Sequence, residues 1–174
     1  MMITVTAIAV NYGNQYTRLF DVKYTDLTKD AKKQVDCLAE NIYHEAGSES
    51  EQGKVAVAMV TLNRVQDPRY PKDICSVVKQ KVNYTCQFSW FCSAPKLNRN
   101  SDMFKDSMQV ALHVYANYEN LKDITHGALF YHADYVNPNW KLNKTTVIGR
   151  HIFYKEGGTN NDAKIKSTTK GRPI

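Results

Sequence analysis

Residues 55 to 65, Val-Ala-Val-Ala-Met-Val-Thr-Leu-Asn-Arg-Val, restrict the fold more than any other stretch of this chain. Val55, Ala56, Val57, Ala58, Met59, Val60 and Leu62 cover nearly the whole circumference of a helix. A helix that is apolar all round has to be enclosed by other elements. The 174 residues suit one domain large enough to supply that enclosure without needing staples. Upstream, Ser48-Glu49-Ser50-Glu51 reads as a capping box that starts this helix. Downstream, Pro68 and Pro71 bracket its end.

The flanking patterns supply the enclosing elements. Over residues roughly 28 to 46, Val35, Leu38, Ala39, Ile42, Tyr43 and Ala46 recur at helical spacing, with Lys32, Lys33 and Asp36 on the other face. Gly47 follows the last turn, as a helix end favours. A short helix is expected around Asp73 to Lys79 and another from about Asp102 to Tyr118, apolar at Phe104, Met108, Ala111, Leu112 and Tyr115. Residues 81 to 100, rich in aromatic and turn residues, read as a structured loop or short hairpin. Segments 128–132, 147–149 and 151–154 read as short strands. The sum is a helix-rich α+β domain with a small antiparallel sheet, spanning residues 1–156 and followed by a basic, flexible tail over 157–174.

At the N-terminus, Ile3, Val5 and Ala7 alternate with Thr4 and Thr6, a strand pattern rather than a signal peptide, since a basic leading segment is missing. The reading is a protein made in a cytoplasm without its own export signal. No apolar run approaches the ~18 residues of a membrane span. Cys37, Cys75, Cys86 and Cys92 form no CxxC, so a zinc ribbon is not expected. They are buried thiols or disulfides, with three full pairings open and Cys86 and Cys92 nearest in sequence. The net charge of +6 predicts an anionic partner without choosing among nucleic acid, lipid and acidic polymer.

Glu45 is the most informative single residue. At about 100° per residue it lies about 20° from Leu38 on the helical wheel, at the edge of the apolar stripe. In the last turn the negative end of the helix dipole disfavours another negative charge, and partial burial acts in the same direction. A carboxyl held protonated near neutral pH is what a general acid for glycosidic cleavage requires.

The surrounding residues resemble a known family. Cys37-Leu38-Ala39-Glu40-Asn41-Ile42-Tyr43-His44-Glu45-Ala46-Gly47-Ser48-Glu49, then Gly53-Lys54-Val55-Ala56-Val57-Ala58 and Leu62-Asn63-Arg64-Val65, resemble the SleB-type cell wall hydrolases, the family of the spore cortex-lytic enzymes. Cys86-Gln87-Phe88-Ser89-Trp90-Phe91-Cys92 is similar to the family's aromatic loop. Gly127 to Ala133, then Val136, Pro138 and Trp140, then Ile148 to Tyr154, match its C-terminal half. The resemblance covers residues 35–154. Two departures stand out: Gly47-Ser48 replaces the family's Arg-Gly, and Ser93-Ala94 replaces an Asp-Gly.

The resemblance implies a lysozyme- and lytic-transglycosylase-like fold. It also implies cleavage of peptidoglycan between N-acetylmuramic acid and N-acetylglucosamine, with Glu45 as the catalytic glutamate. Hydrolytic glycosidases use two carboxylates, and Glu49 and Asp134 are the candidates for a second; capping explains Glu49 and a structural role explains Asp134. A lytic transglycosylase needs one acid, and this is the favoured route, with a muramidase as the alternative. Glu49, Phe88, Ser89, Trp90, Tyr131 and His132 are the candidate groove residues, because aromatic faces stack on sugar rings while polar groups bond their substituents. Trp140 reads as a packing anchor, and Asn63-Arg64 as a pin for a loop or carboxylate.

Two rival classes are weaker. His44-Glu45 invites comparison with a zinc peptidase or amidase, but Ser48 stands where the second histidine of HExxH belongs, and His113, His126, His132 and His151 lack ligand spacing. No cysteine carries a nucleophile signature. A non-catalytic basic binding module fits the charge, yet nucleic-acid motifs are missing. The expectation is a monomeric, cofactor-free and metal-free enzyme of the phage endolysin or virion lysin type. It acts on cell-wall peptidoglycan after release, without membrane insertion or a nucleic-acid partner.

Overall fold

A computed structural model describes residues 6–12 and 15–157, with side chains from residue 21 onward. Strands β1 (Thr6–Tyr12) and β2 (Gln15–Asp21) pair as an antiparallel hairpin. The sequence pattern predicts only the first strand, starting at Ile3; residues 1–5 lie outside those described, as does the basic tail beyond 157. Helix α1 (Lys29–Ala46) is capped by the Thr28 hydroxyl, which accepts from Ala31 N at 3.2 Å. Its Val35, Leu38, Ala39 and Ile42 are fully buried, as the stripe predicts.

Helix α2 (Glu51–Gln66) is the enclosed helix, and Ala56 to Leu62 are buried without interruption. Against it pack α1, α3 (Ile74–Val78), α5 (Asp102–Asn117) and a three-stranded sheet. Asp73 and Ser101 cap α3 and α5 through their side chains. Of the three pairings left open, one forms: Cys37–Cys75 ties α1 to α3, and Cys86–Cys92 closes the aromatic loop. That loop contains a two-residue hairpin, β3 (Lys81–Val82) and β4 (Thr85–Cys86), turning through Asn83 and Tyr84 at positive φ. The five-residue helix α4 (Ser89–Ser93) follows. Among the described residues no helix is long and apolar enough to cross a membrane.

The sheet consists of β5 (Phe130–Ala133), β6 (Asn143–Ile148) and β7 (His151–Lys155), antiparallel in the order β5-β7-β6. Its register pairs Tyr131 with Phe153 and Ala133 with His151 on one face, and Phe130 with Tyr154 and His132 with Ile152 on the other. The first face packs on α2, where Phe153 meets Ala56 and Val60.

Two local expectations change. Ser50, not Ser48, caps α2, its hydroxyl accepting from Gly53 N at 3.3 Å. Glu49 therefore precedes the helix and is free of any capping duty. Gly47 does not terminate α1 by a left-handed conformation, since its φ is −57°. A Cβ there would lie 2.5 Å from the backbone Tyr43 O of α1 and 2.6 Å from Met103 Sδ of α5, so only a glycine fits without a shift.

Candidate active site

The last turn of α1 brings Glu45 beneath the inner face of the sheet, and the Tyr131 hydroxyl donates to Glu45 Oε2 at 3.0 Å. The alternation of β5 explains why Tyr131, rather than its neighbours, reaches this carboxyl. Desolvation raises the Glu45 carboxyl above the ordinary glutamate range; the Tyr131 hydrogen bond and the Arg64 charge act against that rise. Burial drives the Tyr131 phenol well above its usual range, with the Glu45 charge adding to it. The phenol is thus a fixed donor. His151 lies edge-on to the Tyr131 ring, 5.2 Å between centroids, and Phe153 lies 5.6 Å away.

Arg64 is buried in the last turn of α2. Its Nε donates to Leu129 O at 2.8 Å, immediately before β5, and its guanidinium lies over Tyr70 at 5.5 Å and Phe88 at 5.0 Å. Its neighbour Asn63 donates to Asp123 Oδ2, Thr125 Oγ1 and Ala128 O. Together they pin the segment that delivers Tyr131, the loop-pinning role read from Asn63-Arg64. Arg64 also acts electrostatically on the Glu45 carboxylate, the other half of the reading of Asn63-Arg64 as a pin for a loop or carboxylate.

Of the other candidate groove residues, Trp90 comes nearest to α1. Its Nε1 donates to Asn41 Oδ1 at 2.9 Å, and its ring stacks on His44, 4.5 Å between centroids. Asn41 is fully buried and passes the link to Thr61 of α2 at 3.1 Å. This chain from α4 through α1 to α2 fixes the indole beside the residue preceding Glu45. Burial lowers the His44 imidazole below its usual range, with Glu40 opposing. Ser89 is exposed at the start of α4.

Three expectations are corrected. Phe88 is 3% exposed and carries the Arg64 guanidinium on its face, so it belongs to the core and not to a sugar-stacking wall. His132 projects from the face of β5 opposite Tyr131 and Glu45, with Nε2 at 3.0 Å from the Tyr154 hydroxyl. Adjacent residues of a strand face opposite sides of its sheet. Glu49, read as a cap or groove residue, latches the β6–β7 turn: its Oε2 accepts from Arg150 N at 3.1 Å. Gly149 makes room for that latch, with φ +56° and a Cα against which any Cβ would collide with Glu49 Oε2. Asp134 is half-exposed and pairs with Arg150 at 3.5 Å.

Among the described residues, no group of three His, Cys, Asp or Glu is placed to hold a metal ion. The arrangement can hold a proton on one desolvated carboxyl, stabilise its anion with one phenol and one guanidinium, and return the proton.

A family model described as cell wall hydrolase matches residues 48–154, starting just after Glu45. The spore cortex-lytic enzyme of Halalkalibacterium halodurans is 25% identical over 122 residues, 68% of this chain and 34% of that protein. The enzyme of the same name from Bacillus subtilis is 26% identical over 119 residues, 67% of this chain and 35% of that protein. The chain thus spans about a third of the length of these relatives. The catalytic domain of the Bacillus cereus SleB protein superposes with a TM-score of 0.55 at 25% identity, covering 71% of this chain and 91% of that one. The catalytic domain of the germination-specific lytic transglycosylase SleB from Bacillus anthracis gives 0.56 at 24% identity, over 75% and 98%. The helix-rich α+β architecture with small antiparallel sheets is therefore shared with these domains.

Proposed function

The chain belongs to the cell wall hydrolase family, and from that premise we propose that it is a peptidoglycan lytic transglycosylase with Glu45 as its acid and then its base. The observation that carries this reading is the electrostatic setting of one carboxyl. Desolvation raises this carboxyl and so favours its neutral form, while Tyr131 and Arg64 are placed to hold its anion. A carboxyl with support for each form suits a reaction that uses each in turn.

In the first step the Glu45 proton passes to the glycosidic oxygen as the bond from muramic C1 to that oxygen breaks. The Glu45 anion, held by the Tyr131 hydroxyl, then takes the proton of the muramic C6 hydroxyl as O6 closes on C1. The proton is recovered, no water is consumed, and a 1,6-anhydro end results. An inverting muramidase would need a base carboxylate across the bond to activate water. Glu49 is engaged by Arg150 N and Asp134 by Arg150, which favours the one-acid route. Trp90 and Ser89 are proposed to contact the sugars beside Glu45.

The similarly folded catalytic domain from Bacillus anthracis, a germination-specific lytic transglycosylase, supports the same reaction. The narrower reading is a lysin of phage type, released onto the wall by the cell that makes it. Its support is a unit that matches nearly the whole of the solved catalytic domains, carrying a net charge of +6 toward an anionic wall.

Mass spectrometry of products from purified cell walls tests the reaction. Termini lighter by one water than a reducing end are expected. Reducing ends alone would replace the transglycosylase by a muramidase.

A further inference from the structure

The outer face of the three-stranded sheet has no part in the chemistry assigned to Glu45, yet it carries exposed apolar surface. Among the described residues Trp140 and Val147 are large exposed hydrophobics of this face: Trp140 packs on its rings, and Val147 shares the Ile152 row with His132. Grouped exposure on a small domain marks an interaction site more often than scattered exposure does.

Trp140 is held there rather than buried there. It is 41% exposed, and its ring meets those of Phe130, His132 and Tyr154 at 6.1, 5.4 and 5.8 Å, at steep angles. His132 in turn lies flat on Tyr154 at 5.2 Å, with Nδ1 at 2.8 Å from Ala133 O and Nε2 at 3.0 Å from the Tyr154 hydroxyl. The aromatic platform is thus oriented before any partner arrives, which lowers the ordering cost of binding. Exposed Lys141 follows Trp140 directly in the chain. Lys144 pairs with Tyr154 across the β6–β7 ladder and so stands on the platform face.

We propose that this face is a second glycan-binding site, on which a peptidoglycan strand stacks against Trp140 while Lys141 and Lys144 meet the acidic groups of the wall. Resting on the function proposed above, it makes the enzyme hold an insoluble wall at a place separate from the bond it cuts. β5 joins the two places: Tyr131 on one face serves Glu45, and His132 on the other supports the platform. Stacked aromatics beside cations also suit single-stranded nucleic acid, and exposed apolar surface suits self-association. An aromatic ring beside two exposed lysines complements a sugar strand carrying acidic groups, which together with the function proposed above favours the glycan.

The test uses the full chain carrying Glu45→Gln, sedimented with purified peptidoglycan sacculi, with and without Trp140→Ala. Roughly tenfold weaker binding is expected for the Trp140 variant, and weaker binding again at high salt. Charge reversal at Lys141 and Lys144 together, both exposed and outside the aromatic packing, is expected to weaken binding without touching the fold. In the active chain, turnover of soluble muropeptide oligomers should be unchanged by these substitutions, while release from sacculi falls. Product release by the unsubstituted chain reads the reaction separately, so failure of the platform and failure of the function are distinct results. Unaltered sedimentation of the folded Trp140 and lysine variants would overturn the platform. So would a Trp140-dependent oligomer in light scattering, or Trp140-dependent binding of oligonucleotide with none of sacculi.

Discussion

Gly149→Ala is the sharpest probe of the latch between the α1–α2 loop and the β6–β7 turn. The new methyl group would lie 3.2 Å from Glu49 Cδ and collide with Oε2, so the carboxylate must leave the Arg150 amide. Two costs then combine. Holding an L-residue at φ +56° costs about 1 kcal/mol. Losing a charge-assisted hydrogen bond costs about 2 kcal/mol at a partly exposed site. The single variant should therefore lose roughly 3 kcal/mol, lowering the melting temperature of a domain this size by ~6–12 °C. Glu49→Ala should lose about 2 kcal/mol alone, and in its background Gly149→Ala should cost only about 1 kcal/mol, because nothing remains to collide with. The assay is a denaturant-melt double-mutant cycle, with an expected coupling of about 2 kcal/mol. Equal costs of Gly149→Ala in both backgrounds would refute the latch and return Glu49 to the candidates for a second catalytic carboxylate.

Other expected outcomes follow from the same contacts. Glu45→Gln should fold and lose roughly 10²–10⁴-fold in product release; near-parental release from a folded variant would remove Glu45 from the chemistry. Because burial raises the Glu45 carboxyl, its contribution to stability is fully present below the unfolded glutamate range and is lost as pH rises through the folded value. Thermal melts should accordingly show the Glu45→Gln variant gaining on the parent as pH rises, and a constant gap would contradict that burial. Tyr131→Phe removes a donor that lowers the Glu45 carboxyl. The alkaline limb of kcat/KM should move to higher pH, and movement to lower pH would reverse the assigned role of the phenol. Replacing Cys37 and Cys75 by Ala removes a cross-link of sequence separation 38. It should cost about 4 kcal/mol on loop-closure grounds, read by urea midpoint; an unchanged midpoint would show that the link does not form in solution.

Much of the site is legible along the chain because it is local. Glu45 sits where the wheel of α1 and its last turn place it, and the all-apolar run of α2 announces its own enclosure. Ser48 and Ser50 both fit the local capping pattern, and which hydroxyl meets an open amide depends on where the chain enters the helix. Tyr131 and His132 share a strand, and its alternation sends them to opposite faces. Phe88 could not be placed from sequence, because an aromatic in a loop looks the same whether it faces a sugar or a buried guanidinium.

By itself the sequence determined the enclosed helix, the amphipathic stripe beside it, the acid at that stripe's edge and the surplus of positive charge. These are properties of residues within one or two turns of each other, where helical geometry leaves little choice. The tertiary structure decided which partners reach that acid. Tyr131 is 86 residues from Glu45 and the Arg150 amide is 101 from Glu49, and no local rule relates positions so far apart. The sheet register decides that Tyr131 meets the carboxyl and His132 does not. The packing of α2 brings the charge of Arg64 to bear on Glu45, and with it the balance between acid and base that the proposed reaction uses.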